Sequence, residues 1–356
     1  MSRERKVKEI IVYLLMLSFF LTYNLAFYSK AKDKKTAPLS RSFQEEVWRE
    51  RFNKKMIEDE SVRQKALILS SLFLLFLLLG SISLINFCRL NLGRRKPIER
   101  FGERKTVGWE VGDVLKVIVL VLFSVSLIRL LFFFVFTVLA LTLSPSVRMI
   151  LSSLIIDTLL IFFVIYFVLK KYRQNLTSLG IEAGNLLRKI KLGISAYITI
   201  TPVLFILLLI LNIWIERFDY HPPLHPLMSL IFKEERGVVL LFLLLLGTVM
   251  GPIAEEIFFR GFAYPAIKKR VGVYPSIFFT SFFFALLHQS LFAFLPVLFL
   301  GIVLAYIYEK SNSLIPCITL HILHNSLMIA GVLFIKEVSN EYASICFSFG
   351  HLCFSS

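Results

Sequence analysis

Gly237-Val238-Val239-Leu240-Leu241-Phe242-Leu243-Leu244-Leu245-Leu246-Gly247-Thr248-Val249-Met250-Gly251-Pro252-Ile253-Ala254-Glu255-Glu256-Ile257-Phe258-Phe259-Arg260 is two things at once. From Gly237 to Ala254 it holds no ionisable side chain, and about 17–25 apolar residues are what a helix needs to cross a hydrocarbon core of about 30 Å. It then closes on two adjacent carboxylates and an arginine, groups that are costly within lipid. The first property predicts a membrane-spanning helix at 237–259, and the second marks that helix as more than an anchor.

Blocks of the same kind lie on both sides. An apolar run from Ile10 to about Tyr28 follows a basic start, and no convincing cleavage site follows it, so it is expected to be a retained signal anchor. Further spans are predicted at about 66–88, 114–143, 148–169, 191–214, 275–289, 292–309 and 314–335. The expected fold is therefore all-α, a polytopic transmembrane helical bundle of about eight to nine spans. Residues 1–110 read as a membrane-anchoring region with a densely charged segment at 29–65, residues 111–336 as one helical core, and residues 337–356 as a tail. The mixed basic and apolar segment from Lys170 to Lys191 is expected to lie as a helical piece in the headgroup plane.

Composition agrees with lipid as the main solvent. The 356 residues are 57% hydrophobic and 18% charged, with a mean hydropathy of +0.75, against roughly 45–50% and about 25% in soluble domains. A formal charge of +16 could suggest nucleic acid. The Lys and Arg residues, however, sit in short segments between apolar blocks, where they act as topology signals and headgroup contacts, so no nucleic-acid partner is implied. Loops 1–8, 89–113, 170–190 and 261–274 are rich in Lys and Arg while 144–147 and 290–295 have none. An integral, multi-pass protein with a cytoplasmic N-terminus is expected. The four cysteines, Cys88, Cys317, Cys346 and Cys353, have no paired spacing and imply neither disulfides nor a zinc ribbon.

Ionisable residues inside spans are the functional candidates. Arg129 and Asp157 fall in consecutive spans at similar distances from the turn near Pro145, and a structural ion pair between them is expected. Glu256 and Arg260 are spaced i, i+4 with the acid first, the favourable order for a helical pair, which leaves Glu255, about 100° away, free for other work. Gly251-Pro252 is expected to kink the helix and open its backbone there. Two later spans carry His288, and His321 with Asn325, the last two sharing a helical face. A carboxylate, a histidine and a His/Asn pair from three helices could hold a water, deprotonate it and aim it at a carbonyl. His324 faces elsewhere and reads as structural. His221 and His225 read as loop residues.

Glu255-Glu256-x-x-x-Arg260, Phe284-x-x-x-His288 and His321-x-x-x-Asn325, in that order, resemble the signature motifs of the CPBP family. This is the CAAX protease and bacteriocin-processing family, also called Abi, which includes the type II CAAX prenyl endopeptidases. The resemblance covers about residues 170–335, including Leu179-Gly180-Ile181. It implies a helical bundle with a polar catalytic cavity open to the cytosol and a glutamate-type membrane endopeptidase. In it Glu255 and His288 activate water, His321 and Asn325 stabilise the oxyanion, and Glu256 and Arg260 support the site. The implied partners are the lipid bilayer and a membrane-proximal or lipidated peptide, with no cofactor and no metal.

Two other readings stand beside it. Glu255, His288 and His321 form a possible zinc set, without the compact H-E-x-x-H spacing. A non-catalytic membrane protein, of immunity type or a small transporter, could use the same polar cluster for binding or proton passage. Cys353-Phe354-Ser355-Ser356 has only the outline of a C-a-a-X terminus, because Ser355 is not aliphatic.

Overall fold

A computed structural model describes residues 9–22, 57–91, 106–140, 142–182, 184–218 and 225–353, the backbone alone at 90–91 and 338–353. Ten helices carry the fold, and there is no strand among the described residues. They are α1 (Glu9–Thr22), α2 (Glu60–Asn91), α3 (Val111–Val138), α4 (Pro145–Tyr166), α5 (Leu186–Phe218) and α6 (Pro226–Lys233). After them come α7 (Gly237–Val271), α8 (Val273–Leu287), α9 (Leu291–Ser311) and α10 (Leu314–Cys353). The protein is an all-α, multi-pass membrane bundle. Most of the charged segment expected at 29–65 lies outside the described residues.

Among the described residues seven helices, α2, α3, α4, α5, α7, α9 and α10, are long and apolar enough to cross a bilayer, whereas α1 and α8 are shorter. The nine spans read from the sequence thus divide into seven full-length helices and two short ones. At 1.5 Å per residue the 15 residues of α8 rise only about 22 Å, short of a hydrocarbon core of about 30 Å. Gln289, at φ 49°, turns the chain there. The Ser290 hydroxyl then accepts the Ala293 N–H at 3.1 Å and starts α9.

The segment 170–190 also departs from expectation. Lys170 and Lys171 end a π turn, Phe167–Lys171, that prolongs α4, and α5 already begins at Leu186. Between them Leu176–Leu179 makes one 3-10 turn that packs against α7. Leu179 is fully buried, because Gly180 at φ 86° reverses the chain and lets its carbonyl accept the Leu314 N–H at 3.0 Å.

Buried side chains of α3, α4, α5, α7, α8, α9 and α10 form one main core, with Phe262 of α7 and Trp109 among them. Trp109 stacks on Phe262 at 5.2 Å and donates its indole N–H to the Phe262 carbonyl at 2.8 Å. Small residues let the helices approach closely, as they do in lipid, where dispersion takes over from the hydrophobic effect. At Gly193 of α5 an added Cβ would lie 2.6 Å from the Pro316 carbonyl oxygen of α10.

The two ends of the bundle differ in character. At one, Lys171 pairs with Asp113 at 2.5 Å, Lys268 with Glu309 at 2.5 Å, and Lys269 donates to the carbonyls of Val107 and Trp109 at 3.0 Å each. The described parts of the basic segments 89–113, 170–190 and 261–274 therefore meet at one end. At the other, Lys336 of α10 donates to the carbonyls of Ile231 and Glu234 that close α6. Hydrogen bonds from Arg236 hold the Glu234 carboxyl down at about 2.

Candidate active site

α7 is one helix of 35 residues interrupted by two π turns, Leu246–Met250 and Ile257–Ala263. The first has an identifiable cause. Gly251 gives its N–H to Leu246, and Pro252 has none to give. The Gly247 carbonyl is thereby left without a partner in its own helix, and the Asn325 side-chain amide of α10 donates to it at 2.8 Å. The opening expected at Gly251-Pro252 is this carbonyl, within a helix that continues through. A buried acceptor left unmade costs about 1–3 kcal/mol. Asn325→Leu is therefore expected to lower stability by that amount, read as a fall in melting temperature of the detergent-solubilised protein.

Between the two π turns stand the carboxylates. Glu256 is fully buried and Arg260 nearly so, and Arg260 Nη1 donates to Glu256 Oε1 at 2.8 Å. Arg260 Nη2 reaches the Gly301 carbonyl of α9 at 3.3 Å. His321 of α10, 1% exposed, donates from Nδ1 to the same Glu256 oxygen at 2.9 Å. Because a carboxylate oxygen can only accept, this contact fixes the Nδ1 hydrogen. The other ring nitrogen, Nε2, faces Glu255 Oε2 at 3.7 Å. The side chain of Glu255 is 36% exposed and that of Glu256 0%, so of the two adjacent acids only Glu255 is open to a reactant.

Phe284 of α8 links the remaining groups. Its ring lies 4.9 Å from the His288 ring and 5.7 Å from the His321 ring, and the Arg260 guanidinium sits over its face at 4.4 Å. His288 Nδ1 donates to the Phe284 carbonyl at 2.9 Å. Since that carbonyl can only accept, Nε2 of a neutral His288 is left with a lone pair and can act as an acceptor.

The structure thus draws Glu255, Glu256, Arg260, His288, His321 and Asn325 into one region where α7, α8 and α10 meet. Among the described residues, no group of three or more His, Cys, Asp and Glu side chains is arranged to hold a metal ion. His324 turns to α5, with its Nδ1 3.4 Å from the Tyr197 hydroxyl. His225 caps α6 by accepting the Leu227 N–H at 3.3 Å, and His221 lies outside the described residues. The ion pair expected between Arg129 and Asp157 is not formed. Arg129 is exposed on α3, while Asp157 shares a face of α4 with the buried Ile150 and Val164, and α4 packs on α7. Distance from the turn near Pro145 fixes height in the bundle and not rotation about each axis, so the spacing misled. The Gly301 carbonyl was missed as well, for a main-chain acceptor leaves no trace in composition.

No curated protein and no solved structure matches the chain significantly. Residues 237–327 match the family described as type II CAAX prenyl endopeptidase Rce1-like. Over that stretch the chain is Rce1-like. The stretch runs from the start of α7 into α10 and contains every residue of the polar region, in keeping with the resemblance read from the three motifs. The matched family is one of membrane proteases, hydrolases by class, and the long apolar helices on both sides of the matched stretch make this an integral membrane protein.

Proposed function

We propose that the Rce1-like domain hydrolyses a peptide bond with water activated by Glu255, and that the substrate is a membrane-proximal or lipidated peptide of CAAX or related type. The contact that carries this reading is His321, which binds Glu256 through one nitrogen and presents the other to Glu255. Glu255 takes a hydrogen from the water while His288 Nε2 accepts the other and orients it. The water oxygen bonds to the carbonyl carbon, and the carbonyl π electrons move to oxygen. That oxyanion is met by the Asn325 N–H not engaged by Gly247, and by His321 Nε2 when it carries a proton. As the C–N bond breaks, Glu255 returns the proton to the leaving amine. Glu256 and Arg260 fix His321 and play no part in proton transfer.

The active site is assigned to the cytoplasmic side, on the argument that the end of the bundle where basic segments gather faces inward. The reading requires no metal. The test is cleavage of a farnesylated CAAX peptide by the full chain in proteoliposomes, followed by mass spectrometry of the released C-terminal fragment. His288→Ala is expected to lower the rate by about 10²–10⁴-fold, and exhaustive chelation to leave it unchanged. Loss of activity on chelation with recovery on zinc would overturn the metal-independent mechanism. An active His288→Ala would remove that residue from it.

A further inference from the structure

Ile150, Leu154, Asp157, Ile161, Val164 and Val168 are spaced alternately four and three residues apart, so they share one face of α4 and its continuation. That face looks into the bundle. Ile150, Val164 and Val168 are buried, and Leu154 and Ile161 pack against the core. Asp157 is the one charged member of an otherwise aliphatic stripe.

Two contacts set its height. Near the start of α4, Ile150 shares an apolar cluster with Leu243 of α7. Beyond its end, the Phe167 ring meets Phe262 of α7 at 6.3 Å. The two helices run in the same direction between these points, and α4 packs directly on the Leu246–Glu256 part of α7. Asp157, seven residues past Ile150, comes level with that part. Among the described residues no hydrogen bond or ion pair engages Asp157. An acid on the inner face of a membrane helix with no cation to balance it calls for a functional account.

We propose that Asp157 is a positioning residue for Glu255, holding its carboxyl from the α4 side through one bridging water that donates a hydrogen to each acid. This rests on Glu255 being the base of the hydrolysis proposed above. Among the described residues Glu255 otherwise makes one polar contact, to His321 at 3.7 Å, which leaves the rotation of its carboxyl weakly defined. A second support on the opposite flank would fix the oxygen that faces the reacting water. Misplacement of a catalytic group by about 1 Å is enough to lower a rate by about 10²-fold.

The test compares Asp157→Leu, Asp157→Asn and Glu255→Gln in the full reconstituted chain. Leucine restores an unbroken aliphatic stripe but accepts no hydrogen bond, whereas the asparagine carbonyl can accept from the same water. With the farnesylated CAAX peptide, Asp157→Leu is expected to lower kcat about 10–100-fold with KM within about twofold, and Asp157→Asn to keep most of kcat. Infrared spectroscopy supplies a readout that needs no substrate. The carboxyl band assigned to Glu255 by its loss in Glu255→Gln is expected to move in Asp157→Leu and to stay in Asp157→Asn. An unmoved band in both variants would overturn the proposal, as would an equal fall in kcat for both. Should Glu255→Gln remain active, the hydrolytic role of Glu255 fails, and a band shift in Asp157→Leu would still establish the bridge.

Discussion

Glu255→Gln is expected to reduce peptide hydrolysis by roughly 10²–10⁴-fold while the protein inserts and unfolds much as the unaltered chain does. Glutamine keeps the shape of the side chain and loses only the capacity to take a proton. Little of the fold depends on that group, since Glu255 is 36% exposed and, among the described residues, makes one long polar contact, to His321 at 3.7 Å. Initial rates on the farnesylated CAAX peptide, taken with melting temperature in the same detergent, separate the two effects. If Glu255→Gln retained more than a third of the rate with normal stability, another group would have to be the base. A parallel Glu256→Gln should behave in the opposite sense, with stability falling along with activity, because Glu256 holds both Arg260 and His321.

Arg260→Leu is expected to destabilise the protein by about 3–5 kcal/mol, the usual consequence of stranding one member of a buried ion pair. Leucine would leave the Glu256 carboxylate with His321 alone, and would also remove the donor to the Gly301 carbonyl and the cation over the Phe284 ring. The double variant Arg260→Leu/Glu256→Gln should recover part of the loss, since an uncharged buried pair carries a smaller desolvation penalty. Recovery should be incomplete because His321 also leans on Glu256. Denaturant titrations of the two single variants and the double variant measure the coupling. Additive losses would show that Glu256 and Arg260 do not stabilise one another.

How far the sequence carried depended on whether a property was local. The i, i+4 pair Glu256 and Arg260 was legible because both residues lie on one helix, where spacing alone fixes who meets whom. Asn325 was legible as a candidate, yet its donation to Gly247 was not. That contact arises because Pro252 and the π turn together strand a carbonyl on α7, and only packing brings α10 to it. Arg129 and Asp157 failed for the complementary reason. Similar height in neighbouring spans says nothing about rotation, and the aliphatic stripe of α4 turns Asp157 inward, away from Arg129. The length of α8 was read correctly at 15 residues and its position came out two residues late, because Leu287 and His288 continue an apolar pattern while the backbone turns at Gln289.

By itself the sequence determined that this chain lives in lipid, that its fold is helical, and which polar residues lie on helices where they should be costly. These follow from the length of apolar runs and from helical periodicity, both properties of contiguous residues. Only the tertiary structure decided which of two adjacent acids is open and which is locked, which nitrogen of each imidazole carries the hydrogen, and that α4 brings a third carboxyl toward the same place. Those are outcomes of how rotated and offset helices pack, and no spacing within a single helix encodes them.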